Sequence, residues 1–383
     1  MNNYAFYATA LVAAACVYTV VGFASSRRLR LRTASLETDK FDRNVNILHI
    51  SDLHNCKFGD RQNEIISLTA RLKPDIILLS GDIVEDTETL KHGGKGRILT
   101  HEHPAAQLIS KLVEIAPVFM TLGNHEANIA RRKELEAEIA ELGARLIGDF
   151  DSSGTLVEIR GNDPQKSPAR LFICGADDPR CLPYNDENSP ELLRKRLKSG
   201  FFGTLARRIR DDRCRNGGRI TEWRRFQRER FSSPDITESS ARRVKIGGED
   251  AFSIMLSHRP EEQELYRELG FDAAFSGHAH GGQFRFPPFI NGLYAPHQGI
   301  FPRIAGGFYV LPKAEADGQN FASDNISRKG CKQTSKRVSG RKCINKNLFL
   351  HSVSRGLCID RFPRFFNAPE ISLVTIVGKM SDE

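Results

Sequence analysis

The sequence predicts a layered α/β domain preceded by a membrane-spanning helix. Two observations predict this. From about residue 46 to the C-terminus, short apolar runs typical of buried strands alternate with amphipathic helical stretches, and such alternation is typical of sheets covered by helices. An uncharged apolar segment stands before the first of these strands. With 383 residues, 40% of them hydrophobic, the chain can bury the core of one large domain or two modest ones.

The first element is the apolar segment Tyr4–Ala24, which carries no charge. About 20 such residues cross a bilayer as a helix. A cleaved signal peptide would have basic residues before its apolar run, whereas here four arginines between Arg27 and Arg32 follow it. Positive charge on that flank favours the cytoplasmic side for what comes next. We therefore predict a single-pass anchor with its basic flank at residues 1–32 and a cytoplasmic globular part; the alternative is a helix of a soluble protein.

The globular part begins near residue 44, and its elements follow in chain order. Apolar runs predict strands at 45–50, 74–80, 116–122, 169–176, 251–257 and 271–277, with closing strands within 348–357 and 369–378. Helical spacing predicts helices at 61–72, 105–115, 131–144 and 261–270. The domain therefore runs from residue 44 to residue 378.

Two polar stretches interrupt the alternation. Residues 194–245 are rich in arginine, and residues 315–347 contain few apolar side chains. We expect both to be surface insertions and the second to be disordered. The net charge of +9 indicates an anionic partner. For the arginine-rich stretch the membrane surface is one candidate partner, and nucleic acid is less favoured because only Trp223 and Phe226 could stack on bases.

Polar motifs follow five of the predicted strands: SDLH, GDIV, GNHE, SHRP and GHAH. In open α/β sheets, sites form where the carboxyl ends of strands meet, so these motifs are expected to converge. Together they supply seven nitrogen and oxygen donors: Asp52, His54, Asp82, Asn124, His258, His278 and His280. This is more than one metal ion needs and suits a dinuclear centre. Mixed carboxylate, amide and imidazole donors favour Mn, Fe or Zn, and glycines beside them permit close approach of the backbone.

The ordered set of five motifs resembles the calcineurin-like metallophosphoesterases over roughly residues 46–378, apart from the two insertions. The stretches GHAHGGQFRFP, GLYAPHQGIFP and FFNAPEI are similar to its membrane-anchored bacterial branch, which includes predicted phosphoesterases and lipid-A-precursor pyrophosphatases. The resemblance implies a four-layer sandwich in which two mixed β-sheets are flanked by helices.

The resemblance also implies roles for the donors. One metal would be held by Asp52, His54 and His280, the other by Asn124, His258 and His278, with Asp82 bridging them. It further implies that His125 is the acid near the leaving group and that Glu126 orients it. The sequence departs from the family's usual GDxxD pattern by having Glu85 at the second acidic position, which concerns tuning of the centre and not metal binding.

Simpler interpretations exist for single residues. Asp52 with His54 could form a helix cap and turn, and Asn124 could be a turn former. His258 is the least secure ligand because a lone histidine before Arg-Pro is often a loop residue, and Glu126 could cap the following helix. Separately, Arg259 and Arg285 lie beside the motifs and could bind phosphate through their guanidinium groups.

These observations predict a membrane-anchored, metal-dependent hydrolase of phosphate esters or pyrophosphates that uses a dinuclear centre and a bridging hydroxide. The expected partners are a phosphorylated small-molecule or lipid-linked substrate and the membrane. Two alternatives stay open. One is a lipid-linked nucleotide-sugar pyrophosphatase, and the other is a non-catalytic, membrane-tethered binder of nucleic acid or acidic lipid.

Overall fold

The computed structural model describes residues 3–148, 154–160, 167–181, 251–287, 289–313, 348–359 and 363–379. The predicted insertions at 194–245 and 315–347 lie outside these residues. The strands are β1 Arg30–Thr38, β2 Val45–Ile50, β3 Ile76–Ser80, β4 Val118–Thr121, β5 Arg145–Leu146, β6 Thr155–Ile159, β7 Ala169–Ala176, β8 Ala251–Ser257, β9 Ala273–Ser276, β10 Tyr294–Ala295, β11 Gly299–Ile300, β12 Gly307–Pro312, β13 Leu348–Val353 and β14 Glu370–Gly378. The α-helices are α1 Asn3–Ser25, α2 Asn63–Leu72, α3 Glu88–Lys91, α4 Pro104–Ile115, α5 Asn124–Ala127, α6 Arg132–Glu141 and α7 Gln263–Glu268.

Twelve of these strands form two six-stranded sheets. The first has the order β1-β14-β2-β3-β4-β5, and the second has the order β12-β13-β9-β8-β7-β6. Both are mixed. In the first sheet β2 to β5 run parallel while β14 is antiparallel to β2. In the second, β7, β8, β9 and β13 run parallel, and the edge strands β6 and β12 are antiparallel to their neighbours.

The two sheets face each other across a buried apolar layer. Alternate residues of each strand point to opposite faces, so Ile47 and Leu78 of the first sheet join Ile254 and Phe275 of the second in one cluster. The outer face of the first sheet is covered by α2, α4 and α6. The outer face of the second sheet is covered by α7, through Leu265 and Tyr266 among others. The predicted four-layer sandwich is confirmed.

The helix α1 is exposed along almost its entire length. Among the described residues, its segment Tyr4–Ser25 is the one helix that is long and apolar enough to cross a membrane. A signal sequence would pass the same test of length and composition, as would the core helix of a soluble protein.

Six strands were not predicted from the sequence, β1, β5, β6, β10, β11 and β12, and the first of them moves the start of the domain. β1 pairs in parallel with β14 along its whole length, so the layered unit begins at residue 30, ahead of the expected boundary at residue 44. The reason is its position at the edge of the sheet. Leu36 is the only buried side chain of β1, and the strand therefore has no apolar run.

Candidate metal centre

The seven predicted donor residues lie in the segments that follow β2, β3, β4, β8 and β9, with Asn124 at the first residue of α5, and all seven are buried. Backbone hydrogen bonds join the first two loops, from the amide of Asp52 to the carbonyl of Gly81 (3.1 Å) and from the amide of His54 to the carbonyl of Asp82 (3.0 Å). Five of the seven have a positive φ: Asp52, His54, Asp82, His278 and His280. Non-glycine residues rarely adopt this conformation, and strained backbone of this kind concentrates at functional sites.

Asp82 lies at the middle of the cluster. Its Oδ2 atom is 3.1 Å from Nε2 of His258, 3.6 Å from Nε2 of His54 and 4.0 Å from Nε2 of His125. Its Oδ1 atom accepts a hydrogen bond from the backbone amide of His125 at 2.9 Å. One carboxylate oxygen is therefore held by the backbone, and the other faces the histidine rings.

Two groups of donors share Asp82. In the first, one potential ligand atom from each of Asp52, His54, Asp82 and His280 lies within 4.8 Å of the others, and Nε2 of His280 is 3.7 Å from Oδ1 of Asp52. In the second, Asp82, His258 and His278 meet the same criterion. The structure thus brings together residues separated by more than 200 positions in the chain.

Asn124 completes the second group. Its Oδ1 atom lies 3.2 Å from Nε2 of His258, and that nitrogen is 3.1 Å from Nδ1 of His278. His258, the least secure ligand from the sequence, is fully buried and contacts both other members. All seven predicted donors therefore converge on one place.

Two atoms indicate that the donor set fits cations. Nε2 of His54 is buried and has no hydrogen-bond partner within the described part of the chain, and Oδ2 of Asp82 is buried among histidine nitrogens without a hydrogen bond of normal geometry. Leaving buried polar atoms unpaired costs about 1–3 kcal/mol each, and a coordinated cation removes that cost. The outer nitrogens of two rings are meanwhile occupied: Nδ1 of His54 contacts Glu85 Oε2 at 2.5 Å, and Nδ1 of His258 contacts the Ser80 carbonyl at 2.7 Å. Such partners fix the orientation of a metal-binding imidazole.

Asp82 and the histidines around it shift one another's pKa values. Burial alone would raise the pKa of Asp82, but its electrostatic interactions with the rings of His258, His125 and His54 hold it well below its usual value. Burial alone would lower the pKa of His54 and of His258. The hydrogen bond to Glu85 and the charge of Asp82 instead raise the pKa of His54 to about 9, and Asp82 raises that of His258 to about 10.

The other donors are shifted mainly by burial. The pKa of Asp52 is raised because its carboxylate is desolvated. The pKa values of His278 and His280 are lowered, first by burial and then by nearby cations, Arg259 for the former and His54 for the latter. His278 and His280 are thus held as neutral imidazoles, the form that binds metals.

The predicted acid, His125, lies at the edge of the cluster with its side chain partly exposed. Its Nδ1 atom contacts Oδ1 of Asp86 at 2.5 Å and lies 3.4 Å from Oε1 of Glu85. Asp86 also accepts a hydrogen bond from Nδ2 of Asn128 at 2.8 Å. Asp86 was not among the site residues predicted from the sequence, although it follows Glu85 directly in GDIVED.

Glu126, expected to orient His125, has a different set of hydrogen bonds. Its carboxylate accepts from the backbone amides of Asp82, Ile83, Val84 and Gly123 at 2.7–2.9 Å. These bonds tie the loop after β3 to the start of α5. Glu126 thereby fixes the backbone that carries Asp82, and Asp86 is the carboxylate that contacts the His125 ring.

Neither predicted phosphate-binding arginine is free for that task. Arg259 is buried and forms a bidentate ion pair with Asp178, and its Nη1 atom lies 3.3 Å from Nε2 of His278. Arg285 is also buried and donates to the carbonyl of Gly281 at 3.1 Å. The expectation that they contact phosphate is therefore not supported, because an ion pair and a backbone carbonyl occupy them. One further residue lies beside the donors: the ring of His297 stacks on His278 at 5.2 Å.

The absence of a side chain at Gly277 allows the loops to approach. A Cβ atom there would lie 1.9 Å from Oγ of Ser51 and 2.5 Å from Oδ2 of Asp52. At Gly123 a Cβ atom would lie 2.1 Å from Oδ1 of Asp82. The predicted need for glycine beside the donors is explained at both positions by the space that the carboxylates take.

Comparison with known proteins gives three findings. The sequence model of one protein family, described as calcineurin-like phosphoesterase, matches residues 45–282. The chain is 24% identical over 245 residues to phosphodiesterase YaeI of Escherichia coli (strain K12), an alignment that covers 63% of this chain and 62% of that protein. The chain thus spans less than two thirds of that relative's length. A crystal structure of a dimetal phosphatase from Danio rerio matches with 14% identity and a TM-score of 0.32, covering 63% of this chain and 83% of the other.

Proposed function

Because the chain belongs to the calcineurin-like phosphoesterase family, we propose that it is a metal-dependent hydrolase of phosphodiesters or pyrophosphates that acts at a membrane surface. The single observation that supports this most strongly is the convergence of two buried donor groups on Asp82. A shared carboxylate between two such groups is the arrangement that a two-metal hydrolase requires.

In this proposal Asp52, His54 and His280 would hold one cation, and Asn124, His258 and His278 would hold the other. Asp82, which belongs to both donor groups, would be the shared ligand. When bound, such a pair supplies a hydroxide nucleophile at neutral pH and neutralises phosphoryl oxygens. Four imidazoles with carboxylate and amide oxygens favour Mn, Fe or Zn over Mg or Ca.

His125 is the proposed proton donor to the leaving oxygen. Because Asp86 accepts the proton on Nδ1, Nε2 is directed toward the donor cluster, 4.0 Å from Oδ2 of Asp82. A proton on Nε2 can then pass to the oxygen that leaves, a contribution of about 10²- to 10⁴-fold. Asp86 acts through His125 by fixing its ring and stabilising the imidazolium.

The test uses the full chain in detergent, with metal content measured by elemental analysis and turnover measured on bis(4-nitrophenyl) phosphate. The proposal predicts about two bound cations per chain and turnover that falls by several orders of magnitude in Asp82→Ala. His92→Ala is the control, because the side chain of His92 is 81% exposed. Unchanged turnover in Asp82→Ala contradicts the proposal. A chain that binds no metal but binds nucleic acid in a salt-sensitive way is instead the non-catalytic binder.

For the substrate, the similarity to the phosphodiesterase YaeI favours a phosphodiester. A lipid-linked nucleotide-sugar pyrophosphate is the second candidate, and the observation that favours it is the set of exposed apolar side chains in the segment that follows His280, Phe289 and Phe301 among them. Parallel assays with soluble aryl phosphodiesters and with lipid-linked pyrophosphates in mixed micelles separate the two. The candidate whose kcat/KM is higher by orders of magnitude is the substrate class.

We also propose that α1 is a single-pass anchor and that the domain lies on the cytoplasmic side. Arg27 and Arg28 follow the helix directly and are exposed, as the positive-inside rule requires of a cytoplasmic flank. A green fluorescent protein fused after the last residue tests this, since an ordinary one becomes fluorescent in the cytoplasm and not after export. A dark but stable fusion contradicts the orientation.

A further inference from the structure

A loop beside the metal centre exposes a cluster of large apolar side chains. We refer to the described residues from Phe284 to Arg303 as the rim loop. Phe289 is 87% exposed, Ile300 69% and Phe301 62%, and Tyr294 is also exposed. Isolated apolar residues are common on protein surfaces, but a cluster of them marks an interaction site.

The backbone holds these side chains outward. In the hairpin of β10 and β11, Tyr294 pairs with Ile300, so the two side chains share one face. Phe301 has a φ of 57°, which bulky residues rarely adopt, and its amide donates to the carbonyl of Leu293 at 2.8 Å. Phe289 lies at the tip of a tight turn in which its own amide donates to the carbonyl of Phe286.

The rim loop and the C-terminal end of α1 both contact the ring of Phe365. The ring of Phe365 lies between them, 5.2 Å from Phe286 in the rim loop and 5.2 Å from Phe23 in α1. Phe365 is also 5.7 Å from Tyr18. At Gly22 the helix approaches so closely that a Cβ atom would lie 2.2 Å from the Phe365 ring. The last two turns of α1 therefore lie against the same aromatic cluster as the rim loop.

The length of α1 sets the depth of this cluster. The apolar segment Tyr4–Ser25 has 22 residues, which gives about 33 Å of helix, and the hydrocarbon layer is about 30 Å thick. If this segment spans the bilayer, Tyr18 lies about 10 Å inside its C-terminal end. Phe365, which contacts Tyr18, is then at the level of the membrane, and the adjoining rim loop is at its surface. Arg27 and Arg28, which follow α1, and Arg303, at the end of the rim loop, are exposed and suit anionic headgroups.

The rim loop is also connected to the metal centre. The amide of Leu293 donates to the carbonyl of Gly282 at 2.9 Å, two residues after His280. At the opposite end of the same hairpin, the ring of His297 stacks on His278. The hairpin that carries Tyr294 and Ile300 is thus held next to the donor cluster.

We propose that the rim loop inserts its apolar side chains into the interfacial layer of an anionic bilayer, beside the point where α1 leaves it. This second attachment rests on the proposed anchoring by α1. Its suggested purpose, to bring lipid phosphates to the metal centre, rests in addition on the proposed hydrolase activity. The attachment holds the metal centre against the membrane surface, where phosphate groups carried by lipids can reach it.

The experiment uses the full chain in vesicles of phosphatidylcholine and phosphatidylglycerol, with and without brominated acyl chains. Single tryptophans are placed at Phe289→Trp, Phe301→Trp and Ile300→Trp in a Trp223→Phe background, since Trp223 is the only natural tryptophan. Val12→Trp, in the middle of α1, is the positive control. Lys133→Trp is the negative control. Its side chain is 84% exposed on α6, which contacts β5, at the opposite edge of the first sheet from β1 and about 24 Å from it.

The rim-loop tryptophans are expected to be quenched several-fold more than Lys133→Trp, with a blue-shifted emission, and less than Val12→Trp. Three positions are used so that one misfolded variant does not decide the result. Quenching equal to that of Lys133→Trp at all folded positions overturns the proposal. A second copy of the chain that covers these apolar side chains would then explain why they are exposed in the single chain. If Val12→Trp is not quenched, the proposed anchoring by α1 is wrong, and the proposal that depends on it is overturned as well. None of these readouts depends on catalysis, so failure of the hydrolase proposal is distinguishable.

Discussion

At the scale of single residues, the donors could be predicted from the sequence but the groups that hold them could not. The motifs singled out Asp52, His54 and the other proposed ligands because metal-binding side chains are chemically distinctive. In GDIVED two acids stand side by side, and their spacing does not say which ring each reaches. The structure pairs Glu85 with His54 and Asp86 with His125, a difference set by the backbone of the loop.

Asp86→Asn is expected to reduce turnover about 10- to 100-fold with little change in metal content, as loss of a carboxylate behind a functional histidine does. The neutral amide no longer stabilises a proton on His125, so the limb of the pH profile that reports this acid should move to lower pH. Measurements of kcat across pH, together with elemental analysis, check this. Asn128→Ala, which removes only the 2.8 Å hydrogen bond to Asp86, is the matched control. An unchanged profile in Asp86→Asn would show that Asp86 has only a structural role.

Metal loading should depend on pH. In the metal-free protein the pKa of His54 is about 9 and that of His258 about 10, so both are protonated at neutral pH. Cations bind only the deprotonated rings, and affinity should therefore rise with pH up to these values and fall in acid. Calorimetric titration of Zn²⁺ in buffers of different ionisation enthalpy should reveal release of about two protons per centre near pH 7. An affinity that does not change between pH 6 and 9 is inconsistent with these charges.

At the scale of elements, burial decided what could be predicted. β2, β3, β4, β8 and β9 are apolar runs with buried side chains, so their composition alone identified them. Six strands were missed for the opposite reason. The edge strands β1, β6 and β12 each have at most two buried side chains and no run of them, and the two-residue strands β5, β10 and β11 are too short to create a period. The missed hairpin of β10 and β11 belongs to the rim loop beside the proposed metal centre.

The turn after β9 offers a test at this scale. Gly277→Ala should cost about 1–3 kcal/mol of unfolding free energy, as other overpacked sites do, and should weaken metal binding. The added methyl group would meet Ser51 and Asp52 at less than 3 Å, so the loops after β2 and β9 must separate. Thermal unfolding and metal titration measure the two effects. In the control Gly93→Ala the methyl group meets open space, and only backbone strain of about 1–2 kcal/mol is expected. Full metal affinity in Gly277→Ala would mean that the loops yield without cost.

At the scale of the whole molecule, the layered architecture could be predicted because alternating apolar runs and amphipathic helices leave few arrangements that bury both faces of a sheet. The relation of α1 to the domain could not. Its sequence shows an apolar helix, but not that Gly22 and Phe23 lie against Phe365. That contact joins positions more than 300 residues apart, and it depends on the closing loop before β14.

A chain of hydrogen bonds extends this contact to the metal centre. The Ser26 hydroxyl donates to the carbonyl of Gly22 at 2.8 Å and accepts from the amide of Asn367 at 3.0 Å. The side-chain amide of Asn367 in turn donates to the carbonyl of His280 at 2.7 Å. The end of α1 therefore supports the backbone of a proposed ligand.

Removal of residues 1–25 is accordingly expected to lower the melting temperature and to weaken metal binding, even in detergent, because it exposes Phe365 and removes the partner of Ser26. The cut must fall before Ser26, since a cut at residue 32 removes the start of β1. Calorimetry and metal titration on the full and shortened chains in the same detergent measure both quantities. Gly22→Leu in the full chain keeps the membrane helix but forces it from the Phe365 ring, so it should reproduce the loss of metal affinity in part. If the shortened chain melts and binds metal as the full chain does, α1 is a tether without structural influence on the centre.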